Sequence, residues 1–216
     1  MSFALPVSRV KHLLMAPVLA LALAAPSEAQ APAQTLPLSA RTRGLATAPV
    51  TVYEMADFQC PVCRRFALEI WPTIQKEFVA TGKVKWIYIM YPLTQIHANA
   101  AASATFAACA ATQGRFWQAH DMLFDTQEAW EKLKDPAPFF QSKVAGLGLK
   151  ADAMSNCLQS GVGTAMVQDD ASGAVRAGAQ GTPTFYVEGG LIDRLYPVQV
   201  YQHILDSIWK AKTKKG

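Results

Sequence analysis

One heptapeptide, Asp57-Phe58-Gln59-Cys60-Pro61-Val62-Cys63, constrains the fold of this 216-residue chain more than any other stretch. Residues 50–56 before it are β-branched and apolar and contain neither Gly nor Pro, which predicts a buried strand. Residues 64–80 after it carry apolar side chains at helical spacing, at Phe66, Ile70, Ile74 and Phe78. The C-x-x-C motif therefore lies where a buried strand turns into a helix.

The order of residues in this motif gives Cys60 a chemically favourable place. Pro61 suits the first position of a helix, where its missing N–H costs nothing, so Cys60 falls at the helix N-terminus. Unpaired backbone N–H groups and the helix dipole favour an anion there. We therefore expect a lowered pKa for the Cys60 thiol, which makes it a good nucleophile and leaving group. Two intervening residues let Cys63 lie one turn further on, close enough to form a disulfide with Cys60.

A C-x-x-C motif also occurs as one half of a zinc site or as a structural thiol pair. Zinc needs a second pair of nearby ligands. The chain has no second C-x-x-C motif and only four histidines. The redox interpretation is therefore favoured, and binding of zinc or copper(I) by Cys60 and Cys63 stays as an alternative.

The first residues have the pattern of a secretory signal peptide. A basic stretch precedes an apolar run over 13–25, and Ser27-Glu28-Ala29 places small residues at a cleavage site. The apolar run is short for a membrane span. We expect cleavage near Ala29, export to the periplasm, and a flexible leader over 30–48 that is rich in Ala, Pro and Thr, with a short strand near 36–38.

Charge and hydropathy narrow the range of partners. The formal net charge is +4, and much of it lies in the tail 210–215. No basic stripe is interleaved with aromatic residues, so we expect no nucleic-acid partner. No window outside the signal region is long and apolar enough for a membrane helix, so no stable membrane insertion is expected. The leader is too short for a dimerisation domain, and a monomer is expected.

The remaining elements follow in a simple order. Residues 83–91 predict a second strand, which pairs in parallel with the first because a helix connects them. Strand signals are then almost absent, and helices are predicted over 98–112, 116–126, 135–148, 151–158 and 162–177. Residues 181–187 and 191–196, joined by Glu188-Gly189-Gly190, predict a hairpin. A final helix is predicted over 197–209.

Three features together carry a family resemblance. They are Cys60-Pro61-Val62-Cys63 at a strand–helix junction, the helix with Phe116-Trp117-x-x-His120-Asp121-x-Leu123-Phe124, and Gly181-Thr182-Pro183-Thr184-Phe185 beyond a helical insertion. In this combination the chain closely resembles the DsbA-like thiol–disulfide oxidoreductases of the thioredoxin superfamily. The resemblance implies an α/β, thioredoxin-like fold with a central mixed sheet of about four to five strands. Residues 49–92 and 176–212 would form its core, and 93–175 an inserted all-helical subdomain.

The resemblance also implies roles for individual residues. Cys60 matches the exposed nucleophilic thiolate of the family, and Cys63 the buried resolving thiol. Pro183 matches the cis-proline that faces the disulfide and, with Thr182, pairs with the backbone of a bound substrate. From the residues alone the expectation for Pro183 is trans, because cis occurs in only about 5–6% of X–Pro bonds. The cysteine pair carries the two electrons itself, so no cofactor is implied.

Glu54 lies six residues before Cys60, on the first predicted strand. In DsbA-like proteins a carboxylate at this offset sits beneath the active site and helps to move the proton of the buried thiol. The alternative is a solvent-facing Glu on an outer strand. If Glu54 is buried, its pKa should rise, which suits proton transfer near neutral pH. Lys85 on the neighbouring strand could pair with it, and Asp57 is interpreted as a turn or capping residue.

Cys109 and Cys157 lie in predicted helices of the insertion. Four cysteines allow three pairings, and some DsbA-like proteins have a structural disulfide in this subdomain, which implies a Cys109–Cys157 bond. The alternative is two free buried thiols acting as small hydrophobic residues. His97 and His120 are interpreted as packed or capping residues rather than ligands.

The sequence thus predicts an exported enzyme that forms or exchanges disulfides in unfolded or reduced exported proteins. A membrane redox partner would re-oxidise it if it is a net oxidase. The sequence leaves the direction open, because Thr182 before the cis-proline also resembles isomerases and reductases. A non-catalytic binding module or chaperone of the same fold is the other alternative.

Overall fold

The structure is a computed structural model that describes Met1 and residues 37–214. The predicted signal peptide, its cleavage site and the leader up to residue 36 lie outside the described residues. Within those residues, no helix is both long and apolar enough to cross a membrane.

A five-stranded mixed sheet forms the centre of the fold, in the order β1-β3-β2-β4-β5. Its strands are β1 (Thr42–Arg43), β2 (Val50–Ala56), β3 (Val84–Met90), β4 (Thr184–Val187) and β5 (Gly190–Ile192). Strands β2 and β3 pair in parallel, with Val50 beside Val84 and Ala56 beside Met90. The other neighbours are antiparallel. The predicted mixed sheet and the parallel pairing are both confirmed.

The helix after Cys60 alternates between two kinds of turn. It consists of α1 (Pro61–Arg65), a π-helical segment Phe66–Ile70, α2 (Trp71–Ile74) and a second π-helical segment Gln75–Val79. Pro72 has no N–H to donate to the preceding turn, so a regular α-helix cannot pass through it. A wider turn directly before the proline accommodates this loss.

Six helices lie between β3 and β4. They are α3 (Ala100–Ala111), α4 (Phe116–Asp125), α5 (Gln127–Trp130), α6 (Ala137–Lys143), α7 (Ala151–Ser160) and α8 (Val162–Arg176). Five of them match predicted helices to within a few residues. The four-residue α5 was not predicted, because one turn is too short to show a helical period.

The hairpin and the last helix, α9 (Val198–Thr213), complete the chain. Glu188 and Gly189 both have positive φ, 46° and 92°, which is the turn that matches the twist of a two-residue hairpin loop. The strands are shorter than predicted. The second strand of the hairpin, β5, was expected to reach Tyr196 but ends at Ile192. The backbone N–H of Tyr196 faces the hydroxyl of Tyr201 at 3.4 Å instead of a neighbouring strand.

The leader is better ordered than the sequence suggested. Leu38–Arg41 form one 3₁₀ turn, and β1 pairs with β3 at the sheet edge, Thr42 opposite Ile87. The Arg41 guanidinium is buried and forms an ion pair with Asp170 on α8. Residues 38–43 of the predicted flexible leader over 30–48 therefore form regular structure, and their strand lies at 42–43. Of the strand predicted near 36–38, residue 36 lies outside the described residues and Leu38 begins the 3₁₀ turn.

Alternation along the strands sends successive side chains to opposite faces of the sheet. Val52 and Trp86 pack with Phe66 and Tyr201 on the face that α1, α2 and α9 cover. Met55 and Ile89 face the other side, where Ala174 of α8 packs. Glu54 shares its face with Val52, so its carboxyl points into the layer beneath the C-x-x-C helix.

Candidate active site

The turn between β2 and α1 presents the two cysteines. Asp57 caps this turn: its Oδ1 accepts a 2.8 Å hydrogen bond from the Gln59 backbone N–H, and its carbonyl accepts one of 3.1 Å from that of Cys60. Cys60 has extended backbone angles and is the N-cap of α1, and Pro61 occupies the first turn. The sequence order thus places the Cys60 sulfur at the positive end of a helix.

Both cysteines of the motif are free thiols. Cys63 is fully buried, and Cys60 is only 5% exposed. The family resemblance implied an exposed Cys60, so the structure differs here. Cys60 is covered because its sulfur lies 3.5 Å from the carbonyl oxygen of Thr182, on the loop that faces the motif.

The environment separates the acidities of the two thiols. The pKa of Cys60 falls to about 6, chiefly because the Cys63 thiol hydrogen-bonds to its sulfur; burial opposes this shift and contacts with Thr182 support it. The pKa of Cys63 rises well above its ordinary value because the thiol is buried and lies beside Cys60. The site therefore holds one thiolate and one protonated thiol at neutral pH.

The loop before β4 completes the surroundings of Cys60. The Thr182–Pro183 peptide bond is cis. Strand β4 pairs with β2, Thr184 opposite Met55, and this pairing brings the loop to the end of β2 where the cysteines begin. The Thr182 hydroxyl is buried without a hydrogen-bond partner among the described residues.

Glu54 is buried, 2% exposed, so it is not a solvent-facing residue of an outer strand. Its Oε2 accepts a 2.8 Å hydrogen bond from the indole N–H of Trp86. Burial raises its pKa to about 8, and the hydrogen bond from Trp86 opposes that rise only in part. The predicted pairing of Glu54 with Lys85 is wrong. Lys85 lies opposite Thr51 in the sheet register. Because side chains alternate between the two faces of the sheet, Trp86 and not Lys85 lies on the same face as Glu54.

Tyr88 is a buried residue of the second predicted strand, and no sequence pattern assigned it a role. It lies opposite Glu54 in the parallel pairing. Its hydroxyl has no hydrogen-bond partner within residues 37–214. Burial raises its pKa well above the ordinary value, and negative charge on Glu54 and Cys63 adds to the rise. The charges of Glu54 and Cys63 therefore both affect the pKa of the same buried hydroxyl, so the two groups lie close to one another in the protein interior.

The two histidines have different surroundings. The Nδ1 atom of His97 lies 2.7 Å from Oδ2 of Asp57, so His97 borders the active-site turn. His120 is 2% exposed, packs against the rings of Tyr88 and Phe124, and contacts Asp121 at 2.7 Å. Burial lowers its pKa.

Amide side chains connect the active-site turn to the helical subdomain, and no sequence pattern predicts these contacts. The Gln127 side-chain amide donates to the carbonyls of Phe58 and Cys60 at 2.6 and 3.2 Å. Gln59 accepts from the Asn99 backbone N–H at 2.6 Å and donates to the carbonyl of Glu131 at 2.8 Å. A polar residue at these positions looks like any surface amide until the tertiary contacts are known.

Cys109 and Cys157 form a disulfide between α3 and α7, with the Cα atoms 5.7 Å apart. Gly163 lies against it, because a Cβ atom at this position would come within 2.6 Å of the Cys109 sulfur. Within residues 37–214 no group of three or more His, Cys, Asp or Glu side chains is placed to hold a metal ion.

A mixed sheet with a helical insertion, a C-x-x-C pair at a helix N-terminus and a facing cis-proline is the arrangement of the thioredoxin-fold thiol–disulfide oxidoreductases. A family model described as "Thioredoxin" matches residues 38–207. The chain belongs to this family.

Two curated relatives and one solved structure illustrate what this chain is similar to. Disulfide bond formation protein D of Bacillus subtilis is 27% identical over 169 residues, which cover 76% of this chain and 75% of that protein. Na(+)/H(+) antiporter NhaA 3 of Salinispora tropica is 35% identical over 147 residues, which cover 68% of this chain but about a fifth (21%) of the antiporter. The crystal structure of Wolbachia pipientis alpha-DsbA1 superposes with a TM-score of 0.72 at 21% identity, over 81% of this chain and 93% of that one.

Proposed function

We propose that this protein is an exported thiol–disulfide oxidoreductase that forms or exchanges disulfide bonds in protein substrates through Cys60 and Cys63. One observation carries the proposal: the thiol with the lowered pKa lies at a helix N-terminus, beside a buried protonated thiol and against the Thr182–Pro183 peptide. This arrangement gives a reactive sulfur a resolving partner within the same turn.

In the oxidising direction, a substrate thiolate attacks the Cys60 sulfur of the Cys60–Cys63 disulfide. The bond between the two cysteines breaks, its electron pair goes to the Cys63 sulfur, and a substrate–Cys60 mixed disulfide forms. A second substrate thiolate then attacks the substrate sulfur of that mixed disulfide and releases Cys60 as a thiolate. The substrate loses two electrons, and the cysteine pair gains them.

The lowered pKa of Cys60 favours its departure, because a more acidic thiol is a better leaving group. Cys63 needs a proton when it is released and must lose one before it can attack. Glu54 is proposed to exchange that proton, since its raised pKa of about 8 lets it hold and release a proton near neutral pH. Its buried position on the face beneath α1 supports this role.

The Thr182–Pro183 loop is proposed to receive the substrate. Its backbone runs beside the Cys60 sulfur, directly before the start of β4. A substrate strand that paired with this loop would hold its own cysteine in line with Cys60. The partners proposed are unfolded or reduced exported proteins, and a membrane redox protein for re-oxidation; a monomer suffices for this chemistry.

Export to the periplasm belongs to the same proposal. The signal-peptide pattern over 1–29 supports it, as does the Cys109–Cys157 bond, which requires an oxidising compartment to persist. The named activity of the Bacillus relative, disulfide bond formation, fits the same environment.

The redox equilibrium of Cys60–Cys63 against a glutathione series tests the proposal. Mass spectrometry scores this pair separately from Cys109–Cys157, and Cys60→Ser and Cys63→Ser variants serve as controls. A reduction potential near about −120 mV would identify a strong oxidase, and one near or below about −200 mV a reductase or isomerase. A pair that never cycles, or cycles only after bound zinc or copper is stripped, would refute the enzymatic proposal.

A further inference from the structure

Asp57 does more than cap a turn. Its side chain is fully buried, and its two carboxylate oxygens meet three partners. Oδ1 accepts from the Gln59 N–H at 2.8 Å; Oδ2 accepts from the Leu93 N–H at 2.9 Å and meets Nδ1 of His97 at 2.7 Å. Because a carboxylate oxygen only accepts, Nδ1 of His97 is the donor in the last contact.

The same residue contacts both cysteines through its backbone. The Asp57 carbonyl accepts from the Cys60 N–H, and a backbone hydrogen bond from Asp57 acts on the Cys63 thiol. The Asp57 peptide units therefore contact the backbone of Cys60 and the thiol of Cys63. Its carboxylate in turn decides where those peptide units lie, since it links them to the segment after β3.

A buried carboxylate needs a compensating charge or donors. His97 supplies a donor from the protein surface, since its side chain is 16% exposed while that of Asp57 is fully enclosed. If this donor were lost, the carboxylate would keep only two backbone donors and its charge would act more strongly on the nearby sulfurs. Asp57, Cys60 and Cys63 each help to raise the pKa of the buried Tyr88 hydroxyl, so the carboxylate lies in the same buried region as the two sulfurs.

We infer that Asp57 and His97 form a positioning pair that holds the Cys60 turn in the geometry that thiol–disulfide exchange requires. His97 acts through Asp57 and touches neither sulfur in this role. The inference rests on the proposed function, which supplies the reaction, but it concerns residues outside the C-x-x-C motif and the cis-proline loop.

The test compares His97→Leu with His97→Asn, in the full exported chain with Cys109–Cys157 intact. Leucine removes the donor and keeps the bulk, whereas the asparagine side-chain amide can donate from nearly the place of Nδ1. His203 on α9 is exposed, and His203→Leu is the matched control. The rate of Cys60 alkylation by iodoacetamide is measured across pH, together with the glutathione equilibrium and thermal unfolding.

We expect His97→Leu to move the Cys60 alkylation profile to higher pH and to lower its rate near pH 6 by about threefold or more, a fold-change at the lower end of what the net loss of one hydrogen bond produces. His97→Asn should restore most of the parent rate, and His203→Leu should match the parent. An unchanged profile in folded His97→Leu would overturn the inference. So would equal losses in the Leu and Asn variants, which would indicate packing rather than a donor.

A double-mutant cycle adds a measurement that isolates the coupling between the two residues. In an Asp57→Asn background, His97→Leu should have almost no further effect on the alkylation profile, because the group through which it acts is already neutral. The same effect in both backgrounds would overturn the pair. If instead the parent Cys60–Cys63 pair does not cycle with glutathione at all, the proposed function fails, which is a different result from any of these.

Discussion

The indole N–H of Trp86 donates to Oε2 of Glu54 across the parallel β2–β3 pair, at 2.8 Å, and the other carboxyl oxygen of Glu54 has no hydrogen-bond partner among the described residues. A single neutral donor is too little to hold a buried carboxylate. The carboxyl is therefore protonated at neutral pH, in accordance with its raised pKa of about 8. The Trp86 indole orients the Glu54 carboxyl group, but as a neutral donor it cannot balance a negative charge on that group.

The first prediction concerns pH and stability. Glu54 ionises near 4.5 in the unfolded chain but near 8 in the folded one. Its contribution to stability is thus fully present below about pH 4.5 and is lost as the pH rises through about 8. Glu54→Gln, which cannot ionise, should raise the free energy of unfolding at about pH 9 by more than ~1 kcal/mol and change it little at about pH 5.

Urea unfolding at both pH values measures this difference. Glu69 is exposed on the helix after Cys60, so Glu69→Gln removes a charge of the same sign without the burial and serves as the control. A Glu54→Gln protein that gains no stability on going from about pH 5 to pH 9, relative to the parent, would show that Glu54 is ionised in the folded state.

The second prediction is that Cys60 and Cys63 react in sequence. With a pKa of about 6, Cys60 is mostly a thiolate at neutral pH, while the buried Cys63 stays protonated. One equivalent of iodoacetamide should therefore label Cys60 with a midpoint near pH 6. Cys63→Ala removes the thiol that lowers the Cys60 pKa most, so the midpoint should rise. Peptide mapping across pH checks both; preferential labelling of Cys63 would contradict the assignment of roles.

Much of this architecture is predictable from the sequence because its signals are local. The apolar run over 50–56, Pro61 after Cys60, and the turn at Glu188-Gly189 each specify their own structure through side-chain period, a fixed φ, or a short loop. The chemical site within the motif follows from the same local rules, since a helix N-terminus lies where the proline places it.

The parts that the sequence did not reveal depend on contacts between distant segments. Gln127 donates to the Cys60 carbonyl from 67 residues away. A single glutamine belongs to no periodic pattern or motif, so the sequence does not predict this contact. The burial of Arg41 depends on Asp170, 129 residues later. A basic residue in a leader rich in Ala, Pro and Thr is most simply interpreted as solvated, and only the tertiary partner changes that.

The third prediction concerns this Arg41–Asp170 pair. Asp170 also accepts a 2.9 Å hydrogen bond from the Met90 N–H at the end of β3, and burial raises its pKa to about 6 despite the nearby guanidinium. Arg41→Met would leave a buried carboxylate without its cation, which typically costs ~3 kcal/mol or more. The replacement of both residues, Arg41→Met with Asp170→Leu, should cost less than Arg41→Met alone. Denaturant unfolding decides this, and equal losses would mean that the ion pair is not what the single change breaks.

The fourth prediction separates the structural disulfide from the redox pair. The Cys109–Cys157 bond closes a loop across 48 positions of the chain, so the Cys109→Ala, Cys157→Ala variant should lose roughly 4 kcal/mol of unfolding free energy in the chain-entropy model. Both replacements are smaller than a half-cystine, so the close approach of Gly163 to Cys109 creates no clash.

Because Cys60 and Cys63 lie at the start of α1 and face the Pro183 loop, whereas Cys109 and Cys157 lie on α3 and α7, the glutathione equilibrium of the variant should stay within about twofold of the parent, which corresponds to only ~0.4 kcal/mol. Urea unfolding and the glutathione series are run on the same preparation. A large shift of that equilibrium without a loss of stability would assign the second disulfide a redox role in place of a structural one.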